Sequence, residues 1–202
     1  MPAISFVLQG SLTTMGTLIY GMNISVDGYV ADAKGDFGWS EPDEELHQYW
    51  NDVTHEVALS FYGRKLYDLM SAYWPTADKD PEANAVTLDY ARAWLAMPKV
   101  VFSQTLESVD WNSRLERGDV VEVGTRLKAE TDGMLEVGGA TLAGAFVQAG
   151  LVDGFRIVVH PAVVGGGMPF LPTLPSWMKL RLVENRTFSG GTVLLRYDVV
   201  RD

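Results

Sequence analysis

Apolar residues along this chain follow two rhythms. Short runs at Leu18–Ile24, Val57–Tyr62, Lys99–Phe102, Met134–Val137 and Phe155–Val159 read as strands, and between them apolar positions recur at helical spacing. Leu46, Tyr49 or Trp50, Val53 and Val57 form one helical stripe, expected to begin with Ser40 as N-cap and Pro42 in the first turn. Leu66, Leu69, Met70 and Tyr73 form a second, Ala83–Leu95 a third closed by Pro98, and Leu142, Phe146, Val147 and Leu151 a fourth stopped by Gly150. Val120–Val123 is expected as another strand, followed by a short helix at Thr125–Ala129. The tail changes character: Lys179–Arg186 and Thr192–Val200 read as long strands joined near Ser189-Gly190-Gly191, with Val193, Leu195, Tyr197 and Val199 on one face. The pattern predicts an α/β domain whose mostly parallel mixed sheet ends in an antiparallel hairpin.

Length and charge narrow the reading. At 202 residues the chain suits one domain, taken as 16–202, and the segment 1–15 reads as an N-terminal extension or tag, with the domain opening after Met15. A net charge of −10 argues against tracking a nucleic-acid backbone, while one basic pocket can still hold a small anion. With no cysteine and three scattered histidines, thiolate zinc sites, disulfides and cysteine nucleophiles are out, no metal site is expected, and a cytoplasmic setting fits. No apolar run is long enough to span a bilayer.

Candidate chemistry gathers where strands meet helices. Gly138-Gly139, at the junction of a strand and the helix Ala140-Thr141-Leu142, leaves backbone that an anion can approach, with free amides and a positive dipole end beyond it; a plain tight turn would look the same. Gly63-Arg64-Lys65 places two cations at a helix start, where the dipole disfavours them unless an anion is bound or both reach into solvent. Ser103-Gln104-Thr105 ends a strand at the edge where open α/β sheets bind ligands. The loop Ala31–Trp39 is either a movable cover over a flat ligand or a surface loop anchored by a tryptophan. Asp43 and Glu44 suit either a proton-supplying carboxylate or a dipole-favoured first turn. His47 either faces the same cleft or is a bystander, and Asp27 either meets substrate or shapes the Asp27-Gly28 turn.

Six motifs in order carry a resemblance: Ser25-Val26-Asp27-Gly28-Tyr29, Gly63-Arg64-Lys65-Leu66-Tyr67, Val101–Leu106, Gly138–Leu142, Gly150-Leu151-Val152-Asp153, and His160-Pro161 with Gly165-Gly166-Gly167. Over Gly16 to Arg201 the chain resembles the dihydrofolate-reductase-like family, and within it the stand-alone relatives of the riboflavin-biosynthesis reductase domain. That resemblance implies the three-layer dihydrofolate-reductase-like fold, with NADPH across the carboxyl ends of the strands. It assigns Gly138, Gly139, Ala140, Thr141 and Leu142 to the pyrophosphate, Gly63, Arg64 and Lys65 to the adenosine phosphates, and Ser103 and Gln104 to the strand end near the 2′-phosphate. Asn23 and Trp39 fall beside the nicotinamide, and Glu44, five residues after Trp39, matches the carboxylate of dihydrofolate reductases, with Asp43 beside it. Asp27 and His47 are the substrate-side candidates.

The chain departs from the family in two ways. Relatives commonly place arginine where Gln104 stands, so a preference for NADP rests on Arg64 and Lys65. Val137 replaces the glutamate of the riboflavin-pathway enzymes, and Asp68–Asp78 lacks their substrate-binding arginine, which argues against their sugar-phosphate substrate. The expectation is therefore an NADPH-dependent reductase of a flat nitrogen heterocycle, pterin-like or pyrimidine-like, in a homodimer. A bound flavin or other redox cofactor in the same fold, or nucleotide binding without turnover, are the alternatives.

Overall fold

The computed structural model describes residues 15–201, so the expected extension lies, Met15 apart, outside the described residues. Ten strands and five α-helices alternate along it. β1 (Thr17–Ser25) runs into a turn where Gly28 takes φ +87°, the positive value Asp27-Gly28 predicts. β2 (Tyr29–Asp32) follows, then a 3-10 turn at Gly38–Ser40 and α1 (Glu44–Glu56). β3 (Val57–Gly63), α2 (Arg64–Tyr73), a 3-10 segment Trp74–Lys79, α3 (Ala85–Ala96) and β4 (Lys99–Phe102) complete the first half. The second half is β5 (Ser113–Glu116), α4 (Val120–Glu130), β6 (Met134–Gly138), α5 (Ala140–Gln148), β7 (Gly154–His160), β8 (Gly167–Pro169), β9 (Leu180–Thr187) and β10 (Val193–Val199).

Eight strands form one sheet in the order β5-β4-β3-β6-β1-β7-β10-β9. The six from β5 to β7 are parallel, and β10 and β9 add antiparallel, as expected of the hairpin. A separate ribbon pairs β2 with β8. The right-handed rule for parallel crossovers puts α1, α2 and α3, which step towards β5, on one face, and α4 and α5, which step back, on the other. The packing agrees. Leu18, Tyr20, Phe61, Val100, Leu135 and Val137 join Leu127, Ala143 and Phe146 in one core, while Tyr62 and Val101 join Val53, Tyr67 and Trp94 in the other. This is the three-layer dihydrofolate-reductase-like architecture.

Two local expectations are corrected and a third is met. Ser40 does not cap α1: it closes the 3-10 turn, its Oγ donating to the Phe37 carbonyl, and the cap is Asp43, whose carboxylate accepts from the Leu46 amide. Val120–Val123 is no strand. Asp119 accepts from the Val121 and Glu122 amides and starts a single helix through Glu130, with Val123 and Leu127 turned into the core. The strand in that region is β5, whose Ser-Arg-Leu-Glu sequence shows no apolar alternation because it is the sheet's edge. The Gly150 stop is observed: at φ +68° its amide reaches the Val147 carbonyl and that of Leu151 reaches Phe146, the paired bonds of a Schellman end.

Candidate functional site

β3 and β6 are neighbours in the sheet, yet their chains leave in opposite directions, to α2 on one face and α5 on the other. In an open parallel sheet that point leaves a crevice at the carboxyl ends, where ligands bind. Both helices starting there lack a side-chain cap, and both have glycine, Gly63 and Gly139, at the N-cap. α1, α3 and α4 are capped by Asp43, Asn84 and Asp119. The first-turn amides of α2 and α5 therefore have no side-chain acceptor at the N-cap, and their positive dipole ends meet at one place.

Glycine makes that meeting possible. Gly139 sits at φ +87°, and a Cβ on Gly138 would fall 2.4 Å from Leu66 Cδ2, so the first turn of α2 packs directly over the β6–α5 turn. On the opposite side a Cβ on Gly63 would stand 3.8 Å from that of Leu142. Leu142 and Ala140 are buried in the core, and Thr141 is exposed. Arg64 spans the crevice, with Nη1 donating to Thr105 Oγ1 at 2.5 Å beyond β4 and Nε to Asp68 at 3.2 Å. Lys65 beside it is exposed.

The loop after β4 is pinned by hydrogen bonds. Ser103 Oγ accepts from the amides of Thr105 and Leu106, and Gln104 Nε2 donates to the Arg117 carbonyl at 2.6 Å. The Arg117 guanidinium in turn donates to the carbonyls of Ser103 and Leu106. This second cation at the strand end was not singled out in the sequence; its only signal is a basic residue just before Gly118 and a helix cap.

At the end of β1, Asn23 Oδ1 accepts from Trp50 Nε1 at 3.1 Å, tying the strand to α1, and Trp39 stands edge-on to His160 with ring centroids 6.0 Å apart. The Trp39 Nε1 is buried without a partner. The loop before it is held by Asp32, which accepts from the amides of Lys34 and Asp36.

The remaining candidates lie elsewhere. Both Asp27 oxygens accept backbone amides, Oδ1 from Val164 at 3.1 Å and Oδ2 from Gly165 at 2.8 Å; with the Ser25 hydroxyl they hold its carboxyl below the usual range. It fastens the glycine loop to the β1 turn. Asp43 is occupied by its capping bond, with Ser189 Oγ 3.4 Å from its other oxygen. Glu44 is exposed, and with Asp43, Glu45 and Gln48 it lines a depression shared with Val86 and Ser189, towards the β9–β10 turn. Glu45 clamps that turn through the Ser189 amide and Arg186, which pull its carboxyl down to about 2. His47 packs against both Trp74 and Tyr90, whose own rings touch, and burial lowers its pKa. The structure thus gathers Gly63, Arg64, Lys65, Ser103, Gln104 and Gly138–Leu142 along one edge, with Asn23 and Trp39 at the neighbouring strand end. It leaves Asp27 and His47 outside that group.

Comparison with known proteins bears on this arrangement. The family model of the RibD C-terminal domain matches residues 16–194. The uncharacterized protein YyaP of Bacillus subtilis is 30% identical over 182 residues, covering 89% of this chain and 93% of its own. A putative riboflavin biosynthesis protein from Shewanella sp. PV-4 superposes with a TM-score of 0.71 at 21% identity, over 92% of this chain and 99% of that one. The dihydrofolate reductase of Enterococcus faecalis, solved with NADP(H) and RAB-propyl, gives 0.60 at 11% identity, over 92% and 97%. Model match, relative and fold agree, and the chain belongs to the RibD C-terminal domain family.

Proposed function

We propose that this protein is a reductase that takes hydride from NADPH and delivers it to a flat nitrogen heterocycle. The observation that carries the reading is the pair of glycine-capped helix starts, α2 and α5, at the one crevice between β3 and β6. Open amides and two dipole ends suit a pyrophosphate, and the absence of a Cβ at Gly138 and Gly139 leaves the backbone approachable. Gly139, Ala140 and Thr141 would hold the bridge, and Arg64 and Lys65 the adenosine phosphates. Arg117 supports a preference for the extra phosphate of NADPH, since it supplies, beside Ser103, the cation that Gln104 does not. Asn23 and Trp39, at the end of β1, would border the nicotinamide.

Membership of a reductase-domain family and the fold shared with an NADP(H)-bound dihydrofolate reductase support the same reading. When bound, the cofactor supplies the hydride; this chain orients it and keeps water from the exchange. The test follows NADPH absorbance with pterins, pyrimidines and quinones in turn. Consumption with at least one heterocycle is expected. Tight NADPH binding with no oxidation by any of them would overturn the reading and leave a nucleotide-binding protein without turnover.

A further inference from the structure

Beneath α1 the sheet is covered only in part. Leu46 of α1 packs with Val158 of β7 and Leu194 of β10, and towards the start of β1 the same face holds a hollow of 220 Å³. Thr17 and Ile19 form its floor, because Leu18 and Tyr20 turn into the opposite core. Met134 of β6, Arg156 of β7, Arg196 of β10 and Val183 of β9 line it as well. Val183 belongs there through a shift of register: Arg196 stands opposite Glu184 and Tyr197 opposite Leu182, so Val183 is the extra residue of a β-bulge, a device that re-aims a side chain.

Charge on this face fails to balance at one residue. Arg156 and Arg196 stand directly opposite each other on β7 and β10, an unfavourable arrangement for like charges. Arg196 is relieved by Glu184 at 2.6 Å, and Arg181 meets Asp198, at the rim of the hollow, at 2.5 Å. Arg156, only 4% exposed, makes no ion pair within 4 Å among the described residues. Its Nε has no partner, and its two Nη atoms meet nothing better than Met134 Sδ at 3.8 and 3.9 Å.

Two neighbours could relieve Arg156, and neither does so fully. The Tyr49 ring of α1 lies 5.9 Å from its Cζ, at the limit of cation–π range, and the Tyr49 hydroxyl is itself buried and unpaired. Glu136 of β6 faces it too, but burial pushes that acid up to about 7 against the pull of Arg156, so at neutral pH and below much of it is uncharged. A buried guanidinium is costly until a carboxylate and its hydrogen bonds meet it, and this one borders a hollow.

We propose that the hollow binds a small organic carboxylate, the carboxylate on Arg156 with Arg196 beside it and the apolar body on Ile19, Met134 and Val183. A planar fork facing a planar carboxylate gives paired, charge-assisted hydrogen bonds. The three apolar walls favour a ligand with a hydrocarbon body over an inorganic anion. The volume keeps that body small, since drug-sized ligands need roughly 300 Å³ or more. The hollow is separate from the nucleotide edge: six residues of β1, about 20 Å, lie between Thr17 and Asn23. The proposal therefore stands or falls independently of the reductase reading.

The probe is benzoate, titrated calorimetrically into wild type, Arg156→Gln, Val183→Trp and Arg64→Ala, with benzyl alcohol as its uncharged counterpart and inorganic phosphate as a bare anion. Wild type should take up one benzoate per chain and bind benzyl alcohol and phosphate at least about tenfold more weakly, the loss of one charge-assisted bond or of the apolar contact. Arg156→Gln should lose at least about tenfold for benzoate. Val183→Trp, on the exposed edge strand, keeps both guanidiniums but fills the hollow, and should lose benzoate in a protein whose circular dichroism is unchanged. Arg64→Ala, at the crevice, should bind benzoate as wild type does. No uptake by wild type, undiminished uptake by Arg156→Gln or Val183→Trp, equal affinity for benzyl alcohol or phosphate, or a loss with Arg64→Ala would each overturn the proposal.

Discussion

A methyl group at Gly138 would have to share space with Leu66 Cδ2, 2.4 Å away, because the first turn of α2 lies directly over that backbone. Gly138→Ala should therefore destabilise the fold by about 1–3 kcal/mol in a urea titration, the usual cost of overpacking. Asp43→Ala should cost about 1 kcal/mol as a lost helix cap, and Asp43→Asn, which can still accept the Leu46 amide, much less. Glu136 gives a pH signature. Its folded pKa of about 7 lies above the ordinary 4.5, so the folded state holds this proton more tightly, and the stability it confers is lost as pH rises from about 4.5 through 7. Melting scans of wild type against Glu136→Gln should diverge across that window, with wild type losing more. Parallel curves would mean that Glu136 ionises as freely as in the unfolded chain. At this scale the sequence displays residue types but not their partners. Ser40 and Asp43 are both able to cap, three residues apart, and only the 3-10 turn at Gly38–Ser40 decides between them. Glu136 within an apolar run, and Arg117 before a helix, carry no periodic signal of their surroundings.

Elements were legible where they are buried. β1, β3, β4, β6 and β7 appear as apolar runs because each is covered on both faces, and the hairpin shows through its length and its glycine turn. β5, at the edge, and the ribbon of β2 with β8 have no such covering and left no pattern to read. The first turn of α4, Val120-Val121, looks like a strand in the sequence unless Asp119 is recognised as its cap. That helix is fixed to the rest by a buried pair: Lys128, 6% exposed, meets Asp153 at 2.5 Å, and Asp153 also accepts from Arg201 and the Leu18 amide. Asp153→Asn strands the lysine and should cost about 3 kcal/mol in chemical denaturation. Burial raises the Asp153 pKa, but its bonds to Lys128, Leu18 and Arg201 outweigh that and leave it low. Its stability is thus present above the ordinary 3.8 and lost as acid is added below it, a loss that the asparagine variant should not show.

For the molecule as a whole, the strand order matters more than any single motif. Reversal of direction between β3 and β6 creates one crevice, and the two α-helices lacking side-chain caps begin at its lip. The chain carries a net charge of −10, so an anion is held there by local amides and by Arg64, Lys65 and Arg117, against the overall field. The motifs at this edge could be read in the sequence because glycines and cations at strand ends are rare enough to stand out. The strand order that unites them could not, since it depends on long-range pairing. The central claim is that this crevice seats the diphosphate of NADPH, and a fluorescence titration of NADPH and NADH into wild type, Arg64→Ala and Gly139→Val tests it most directly. Wild type should prefer NADPH, Arg64→Ala should lose about tenfold for NADPH and far less for NADH, as removal of one charge-assisted phosphate bond implies, and Gly139→Val should bind neither. Undiminished binding of either dinucleotide by a folded Gly139→Val variant would contradict the claim.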